Sequence, residues 1–387
     1  MNTPSKIGRS AASLLLAAAI AATLVACAPP APTPSASPAP AASPAPTPTA
    51  IATAEPVATG PEPIIDMTCD ELLADSTLAA QFAVPVALAD AANSWASASR
   101  IGMTTAYFVR SLGGLACEWN NGESYSSLRS TNPAYVGFRV LILPDAGSQW
   151  TKYIDIYGPE GAGHYCGLRY LSPDVLSCSS NDLVGDLWVE IETNGVISDV
   201  GAAALRTSVI DVVSAAAPVA QVWVTPAGTL PLPTDCASLV PYSTVTSALG
   251  LSEPLEGFNR GGDGWSLQAG ARVIAGVVGC GWRYPDTEYS FGNISTLAGG
   301  AWAWNEARLA LTTPAVPEPL VIAGLTAADQ AWIRCAPANA ECVVDLVIGG
   351  NWIEFHLRPD EGLGFVTADR RAAATAIAEG VVATLRP

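Results

Sequence analysis

Two glutamates stand in matching local settings and are the residues best suited to acid–base chemistry. Glu190 follows Trp188 by two positions, and Glu354 follows Trp352 by two positions. Residues two apart on a strand share a face, so each carboxylate is expected on the same side of its strand as the tryptophan. Paired carboxylates about 5–10 Å apart hydrolyse glycosidic bonds. The same pattern fits glutamates that face solvent or pair with an arginine, and this structural interpretation is favoured over a ligand-facing role.

A pair of tryptophans is the second candidate for contact with a ligand. Trp302 and Trp304 stand two apart in the segment Gly-Ala-Trp-Ala-Trp. On a strand both indoles would point to the same side of the sheet, where they could stack on a sugar or hold a protein partner. Packing inside a core, or between two domains, explains the same pair and is the favoured alternative.

The sequence contains none of the common catalytic motifs. It has no Gly-x-Ser-x-Gly, Ser-x-x-Lys or His-Glu-x-x-His segment, and no phosphate-binding or calcium-binding loop. His164 and His356 are the only histidines, and nothing in the sequence places either beside a serine and a carboxylate, as a Ser-His-Asp hydrolase requires. We therefore predict no catalytic residue and no cofactor, and we leave the question of enzymatic activity open with a non-enzymatic role favoured.

The cysteines predict disulfide bonds rather than a metal site. Besides Cys27 there are eight, an even number, which in an exported chain indicates disulfides. No two of them have the Cys-x2-Cys spacing typical of zinc sites, so no metal is predicted. Counting does not fix the pairing. Pairing within each set of four favours Cys69–Cys117, Cys166–Cys178, Cys236–Cys280 and Cys335–Cys342.

The two sets of four cysteines lie in similar surroundings and indicate an internal duplication. The segments that match are Cys117-Glu118-Trp119 with Cys280-Gly281-Trp282, 178–190 with 342–354, and 138–142 with 307–311. The matching positions are 163 to 169 residues apart, which is too long for solenoid repeats and indicates duplicated domains.

Each repeat is predicted to be an α+β domain with a mainly antiparallel sheet. The segment Thr68-Cys69-Asp70-Glu71 has the capping-box pattern of a helix start. The Cys-x-Trp and Trp-x-Glu segments, together with 136–143 and 308–312, are predicted strands. The alanine-rich segments 200–216 and 368–385 are predicted helices. This order of elements favours a sheet packed with N-terminal and C-terminal helices.

The N-terminus predicts export and lipidation. Lys6 and Arg9 precede an apolar segment, residues 11–26, which is shorter than the about 20 residues of a membrane span and is typical of a signal peptide. Leu24-Val25-Ala26-Cys27 resembles the bacterial lipobox, whose cysteine becomes the acylated first residue of the mature chain. We expect residues 1–26 to be removed and acyl chains on Cys27 to anchor the protein to the outer face of the cytoplasmic membrane.

A tether and two folded domains are predicted after the lipidation site. Residues 28–62 are mostly Ala, Pro, Ser and Thr, a composition that cannot bury enough apolar surface to fold, so 27–62 is predicted to be the lipidated cysteine with a disordered tether. The domains that follow are repeat domain 1 (63–218), a linker (219–231) and repeat domain 2 (232–387).

The charge of the chain limits the choice of partners. The formal net charge is −17, and loss of Lys6 and Arg9 with the signal makes it −19. An acidic surface repels nucleic acid, so no nucleic-acid partner is expected.

The combination of lipobox, proline-rich tether, Cys-x-x-Leu helix and Cys-x-Trp strand resembles a group of actinobacterial cell-envelope lipoproteins that carry a domain of unknown function. Two tandem copies depart from the usual single domain. The resemblance implies an accessory or binding role and supplies no catalytic residues. We expect a lipid-anchored extracytoplasmic binding or interaction module whose partner is a cell-wall glycan, a small molecule or an envelope protein. The alternative is a cell-envelope hydrolase with an unrecognised active site.

Overall fold

Two antiparallel β-sheets, each with its own helices, make up the described part of the chain. A computed structural model describes residues 60–89, 103–123, 134–169, 172–216, 224–259, 266–287, 290–309, 316–335, 341–357 and 369–387. The predicted signal peptide, Cys27 and most of the predicted tether lie outside these residues. The α+β class with two antiparallel sheets is confirmed.

The first half of the described chain forms a six-stranded sheet, sheet 1. Its strands are β1 (Ala87–Leu88), β2 (Leu115–Asn120), β3 (Gly137–Leu143), β4 (Gly163–Arg169), β5 (Ser172–Val184) and β6 (Leu187–Asn194), in the spatial order β1-β2-β3-β6-β5-β4. Its helices are α1 (Cys69–Leu72), α2 (Asp75–Ala79), α3 (Thr105–Ser111), α4 (Gly147–Tyr157) and α5 (Asp199–Ala215), with a 3₁₀ turn at Pro159–Gly161.

The second half forms a seven-stranded sheet, sheet 2. Its strands are β7 (Glu256–Asn259), β8 (Gly279–Arg283), β9 (Gly292–Leu297), β10 (Glu318–Pro319), β11 (Gln330–Cys335), β12 (Cys342–Ile348) and β13 (Asn351–Leu357), in the spatial order β7-β8-β9-β13-β12-β11-β10. Its helices are α6 (Cys236–Leu239), α7 (Tyr242–Ala248), α8 (Leu267–Ile274), α9 (Ala301–Leu309) and α10 (Arg370–Leu385).

The two halves have the same order of elements in space. The order β1-β2-β3-β6-β5-β4 in sheet 1 has its counterpart in β7-β8-β9-β13-β12-β11 in sheet 2, and β10 is an additional strand outside β11. Each half begins with two short helices and ends with a long one, α5 or α10. Strand and helix counterparts can therefore be compared position by position between the halves.

One predicted strand is wrong. A strand was expected at 308–312, with 307–311 matching 138–142 of β3. Arg308 lies instead near the end of helix α9, residues 310–312 lie outside the described residues, and the counterpart of β3 is β9. Both β3 and β9 pair with the Trp-x-Glu strand of their own half. A short apolar run such as 307–311 does not distinguish helix from strand by its periodicity, which explains the error.

The helix ends follow their sequence signals. At α1 the backbone N–H of Thr68 donates to Glu71 Oε2 at 2.8 Å, completing the predicted capping box. At α5 the hydroxyl of Ser198 accepts a hydrogen bond from the backbone N–H of Gly201. These side chains satisfy backbone donors that have no partner within the helix.

Four disulfide bonds cross-link the fold, and the pairing favoured from the sequence is confirmed. The bridges are Cys69–Cys117, Cys166–Cys178, Cys236–Cys280 and Cys335–Cys342. The first and third tie the short helices α1 and α6 to strands β2 and β8. The second and fourth join residues that lie directly opposite each other on neighbouring strands.

Each sheet buries one face under helices of its own half. Val140, Val189 and Ile191 of sheet 1 pack with Leu205 and Val209 of α5. The second half repeats this arrangement with α10, whose buried residues include Ile377 and Val381. In each sheet this buried face follows the alternation of apolar and polar residues along the strands.

A third apolar core lies between the two sheets and joins the halves. Its largest members are Trp188, Trp302, Trp304, Trp352 and Tyr107. They come from helices of both halves and from the Trp-x-Glu strands, so neither sheet could bury this face alone.

Contacts of α3 with the second half show how this core is fixed. The ring of Tyr107 lies 5.9 Å from that of Trp302 and 5.5 Å from that of Trp352, both edge-on. Arg110 makes two hydrogen bonds to Glu306 of α9, at 2.6 and 2.9 Å. Such a two-pronged arginine–carboxylate pair fixes orientation as well as distance.

Replacing Tyr107 by Ala should lower the free energy of unfolding by about 3 kcal/mol, because loss of a buried aromatic ring leaves a cavity. Since the lost contacts join the two halves, we also expect thermal unfolding of the variant to separate into two transitions. Differential scanning calorimetry measures both effects. Tyr157→Ala, which removes an exposed ring of α4, is the control and should change stability by less than about 1 kcal/mol. A Tyr107→Ala variant with an unchanged profile would show that this interface contributes little.

Candidate functional site

The face of each sheet that carries the recurring tryptophan continues into a charged region. On β13 the residues Trp352, Glu354 and His356 share this face, while Ile353 and Phe355 point into the core beneath α10. Trp352 lies in the apolar core between the sheets. Glu190 and Glu354 therefore begin the charged part of their sheets. Each lies two residues along its strand from the buried tryptophan.

In sheet 2 five ionisable side chains form a connected group, which we call the β13 cluster: Arg334, Glu341, Asp345, Glu354 and His356. Asp345 lies directly opposite Glu354 on the neighbouring strand. Arg334 Nη2 is 3.6 Å from Asp345 Oδ2 and 3.8 Å from Glu354 Oε2. His356 bridges two carboxylates, with Nε2 2.8 Å from Glu354 Oε1 and Nδ1 3.2 Å from Glu341 Oε1.

The electrostatics of the β13 cluster follow from burial and mutual pairing. Burial raises the pKa of Asp345 to about 7, against the opposing effect of Arg334. Burial lowers the pKa of His356, but the carboxylates of Glu354 and Glu341 raise it more, to about 9. His356 is therefore a cation at neutral pH that offsets the negative charge of its neighbours. Glu354 is only 5% exposed, so in this conformation its carboxylate is engaged in pairing rather than open to a substrate.

Sheet 1 carries a related arrangement around Glu190. Burial raises the pKa of Glu190 to about 8, with a further rise from Glu192 and a lowering by Arg139. Arg139 Nη1 lies 2.9 Å from Glu192 Oε2. Glu118, which is buried, accepts a hydrogen bond from the Tyr135 hydroxyl at 3.0 Å. Here too the carboxylates lie in a network with arginine and tyrosine.

The tryptophan next to each glutamate has a fixed hydrogen-bond partner. Trp352 Nε1 donates to Asp345 Oδ1 at 2.9 Å, and Trp188 Nε1 donates to Asn181 Oδ1 at the same distance. Asn181 lies opposite Glu190 just as Asp345 lies opposite Glu354. A buried indole N–H usually finds such an acceptor, and both copies of the fold supply one at this position.

Trp302 and Trp304 lie in helix α9 and not on a strand, and they are 2% and 0% exposed. The Trp302 ring is covered by Arg110, whose guanidinium carbon is 4.8 Å from the ring centroid, and by Gly60, where an added Cβ would come 2.6 Å from the ring. Trp304 packs against Trp352, with ring centroids 5.7 Å apart. In this conformation both indoles occupy the core between the sheets. This is the packing role favoured from the sequence over contact with a ligand.

The four predicted ligand residues lie on three different elements. Glu190 belongs to sheet 1, Glu354 belongs to sheet 2, and the two tryptophans lie in the core between them.

The feature that sequence reasoning missed is the outer edge of sheet 1. Strand β4 is the last strand, and its outer side pairs with no strand of the described chain. Tyr165 is 74% exposed and Leu168 is 67% exposed on this seven-residue strand. The sequence indicates this edge through a difference between the two repeats. Tyr165 precedes Cys166 in the first repeat, whereas Arg334 precedes the matching Cys335 in the second.

The corresponding edge of sheet 2 is covered. Strand β10 pairs with β11 on its outer side, with Glu318 opposite Ile333 and Pro319 opposite Trp332. The open edge therefore belongs to one copy of the duplicated fold only, within the residues that the structure describes.

A histidine lies beside the disulfide on the open edge. His164 Nε2 is 3.1 Å from Cys166 Sγ, and the side chain of His164 is exposed. His164, Cys166 and Cys178 have their ligand atoms within 4.8 Å of one another, but both sulfurs are joined in the disulfide. A thiolate is what binds a metal, so this oxidised group does not form a metal site.

The paired imidazolium of His356 should make stability depend on pH. Because its folded-state pKa of about 9 lies above the ordinary value of about 6.5, its contribution is fully present below pH 6.5 and is lost as the pH rises through 9. Between pH 6 and 9.5 we expect the free energy of unfolding to fall by about 2–3 kcal/mol more in the wild type than in His356→Gln. Denaturant titrations of both proteins at several pH values test this. Parallel pH profiles would contradict the pairing.

Comparison with family models, curated proteins and solved structures finds no match to this chain. Among the described residues, no helix has both the length and the apolar character needed to cross a membrane.

Proposed function

We propose that this protein is a lipid-anchored extracytoplasmic interaction module of the cell envelope that binds a partner protein at the edge of sheet 1. The observation that carries the proposal is the exposed strand β4 with Tyr165 and Leu168, at a position that the second copy of the fold covers with β10.

An edge strand offers backbone donors and acceptors to an extended segment of another protein. Proteins that do not use such an edge protect it with very short strands, charges or proline. Strand β10 has all three features, since it consists of Glu318 and Pro319 alone. Strand β4 has seven residues with exposed apolar side chains, which favours recognition by addition of a strand.

The partner expected here is an extended segment with apolar residues at alternate positions. Tyr165 and Leu168 are three positions apart and so lie on opposite faces of β4, which lets an added strand contact one with each face. A second copy of the chain is a poorer partner, because a net charge of −19 after signal removal makes copies repel one another.

The tether fits an interaction role at a distance from the membrane. Residues 28–62 are rich in proline, and extended polyproline of this length spans roughly 100 Å at about 3.1 Å per residue. Acyl chains on Cys27 would hold one end of it at the bilayer. The four disulfides are compatible with an extracytoplasmic location.

The hydrolase alternative has weaker support. Asp345 and Glu354 are cross-strand neighbours, which is the kind of carboxylate pair that such a reaction uses. Both are buried and engaged with Arg334, so a substrate would have to displace this network to reach them.

Lipid anchoring predicts a specific effect of Cys27→Ala. We expect this variant to lose incorporation of a labelled fatty acid and to leave the membrane fraction, because no acyl chain is attached. Metabolic labelling followed by fractionation of intact cells measures both. Ser37→Ala, within the predicted tether, is the control and should behave as the wild type. A labelled Cys27→Ala protein would rule out this anchoring site.

Partner binding at the edge predicts position-dependent cross-linking on cells. A photo-reactive amino acid at Tyr165 should yield a discrete cross-linked product, and adding Leu168→Lys should remove it, because a charge on the edge opposes strand addition. The same probe at Val321, which is 92% exposed in the second half, is the matched control and should give no such product. Identical products from both positions, or a product insensitive to Leu168→Lys, would contradict binding at β4.

A further inference from the structure

We propose that the Cys166–Cys178 disulfide is a thiol–disulfide exchange site that a dithiol reduces, whereas Cys335–Cys342, its counterpart in the second half, is structural. This inference goes beyond partner binding and does not depend on it. It rests on the position of the bridge at the open edge and on the histidine beside it.

The imidazole of His164 is positioned to act on a sulfur of this bridge. Its Nε2 lies 3.1 Å from Cys166 Sγ. A protonated imidazole next to a cysteine favours the thiolate, and stabilising the reduced form makes a disulfide a stronger oxidant. His164 therefore favours reduction of this bridge by stabilising its product.

The bridge is also accessible to a reductant. Strand β4 is the outermost strand of sheet 1, and the side chains of His164 and Tyr165 on either face of it are exposed. Cys166 is half-buried whereas Cys178 is buried. Thiol exchange requires a thiolate to approach a sulfur directly, so Cys166 Sγ is the sulfur that an incoming thiolate reaches first.

The second half provides an internal comparison. Cys335 and Cys342 lie directly opposite each other on β11 and β12, as Cys166 and Cys178 do on β4 and β5. The position of His164, two residues before the first cysteine, is taken by Ile333, which is fully buried. Strand β10 pairs with β11 at Ile333. The counterpart bridge has the same burial, with Cys335 half-buried and Cys342 buried. It lacks the histidine, and its strand β11 is paired on the outer side two residues before Cys335.

The exchange is a balanced two-electron reaction. The thiolate of a dithiol attacks Cys166 Sγ, the Cys166–Cys178 bond breaks, and Cys178 leaves as a thiolate. The second thiol of the reagent passes its proton to Cys178. The resulting thiolate then attacks the first sulfur of the reagent, which is bonded to Cys166 in the mixed disulfide. Cys166 then leaves as a thiolate beside His164 and takes up the remaining proton. The protein disulfide is reduced to two thiols, and the dithiol is oxidised to a disulfide.

The test measures the two bridges in the same molecule. The full-length protein is equilibrated without denaturant in mixtures of reduced and oxidised dithiothreitol, quenched with acid and alkylated. Mass spectrometry then gives the reduced fraction of each cysteine pair. We expect Cys166–Cys178 to be half reduced at a ratio of reduced to oxidised reagent at least about tenfold lower than Cys335–Cys342 requires, a difference of about 30 mV.

Two variants separate the role of the histidine from that of exposure. His164→Gln should raise the ratio needed for Cys166–Cys178 by about twofold to fivefold, the size of an exposed ion pair, and leave Cys335–Cys342 unchanged. Tyr165→Phe, which alters the neighbouring exposed side chain, is the control and should leave both ratios unchanged. Coincident midpoints for the two bridges in the wild type, or an unchanged midpoint in His164→Gln, would overturn the proposal.

Discussion

The apolar core between the two sheets is the constraint on which the rest of the structure depends. Trp188 and Trp352 each lie on the face of their sheet that turns toward the other half, and Phe108, Trp302 and Trp304 pack among them. With the opposite faces buried under α5 and α10, each sheet has both faces occupied near its tryptophan. Among the described residues of the two sheets, the parts outside these cores are the charged end of each inner face and the outer edges.

The charged ends differ between the halves at several matched positions. Trp188 donates to the neutral Asn181, whereas Trp352 donates to Asp345. A buried carboxylate must be paired, and sheet 2 supplies Arg334 from the adjacent strand, with His356 holding Glu354. Sheet 1 has the neutral Asn181 in place of the acid, and the position matching Arg334 is taken by Tyr165, which extends into solvent.

Sequence patterns were sufficient for those features that depend on local chemistry or on matched spacing. The capping box at Thr68, the long C-terminal helices and all four disulfide pairs were predicted, because each depends on a few residues near in sequence or on the duplication. The helix at Ala301–Leu309 was missed, and with it the placement of Trp302 and Trp304, because the period of a short apolar run is ambiguous. The open edge was also missed, since which strand ends a sheet depends on pairing between distant segments.

The comparison of the two copies gives the strongest reason to look for function at β4. Features that both halves share, such as the Trp-x-Glu strand and the cross-strand disulfide, are what the duplicated fold needs in order to form. A structural role alone would be served equally well by either edge arrangement. The second copy ends its sheet with a two-residue strand of glutamate and proline and places Ile333 in the core, while the first ends with seven residues and places His164 beside a disulfide. An exposed apolar edge is an aggregation liability that proteins normally blunt. The same chain blunts one such edge and, among the described residues, leaves the other unpaired, and this contrast is the basis for proposing β4 as the binding edge.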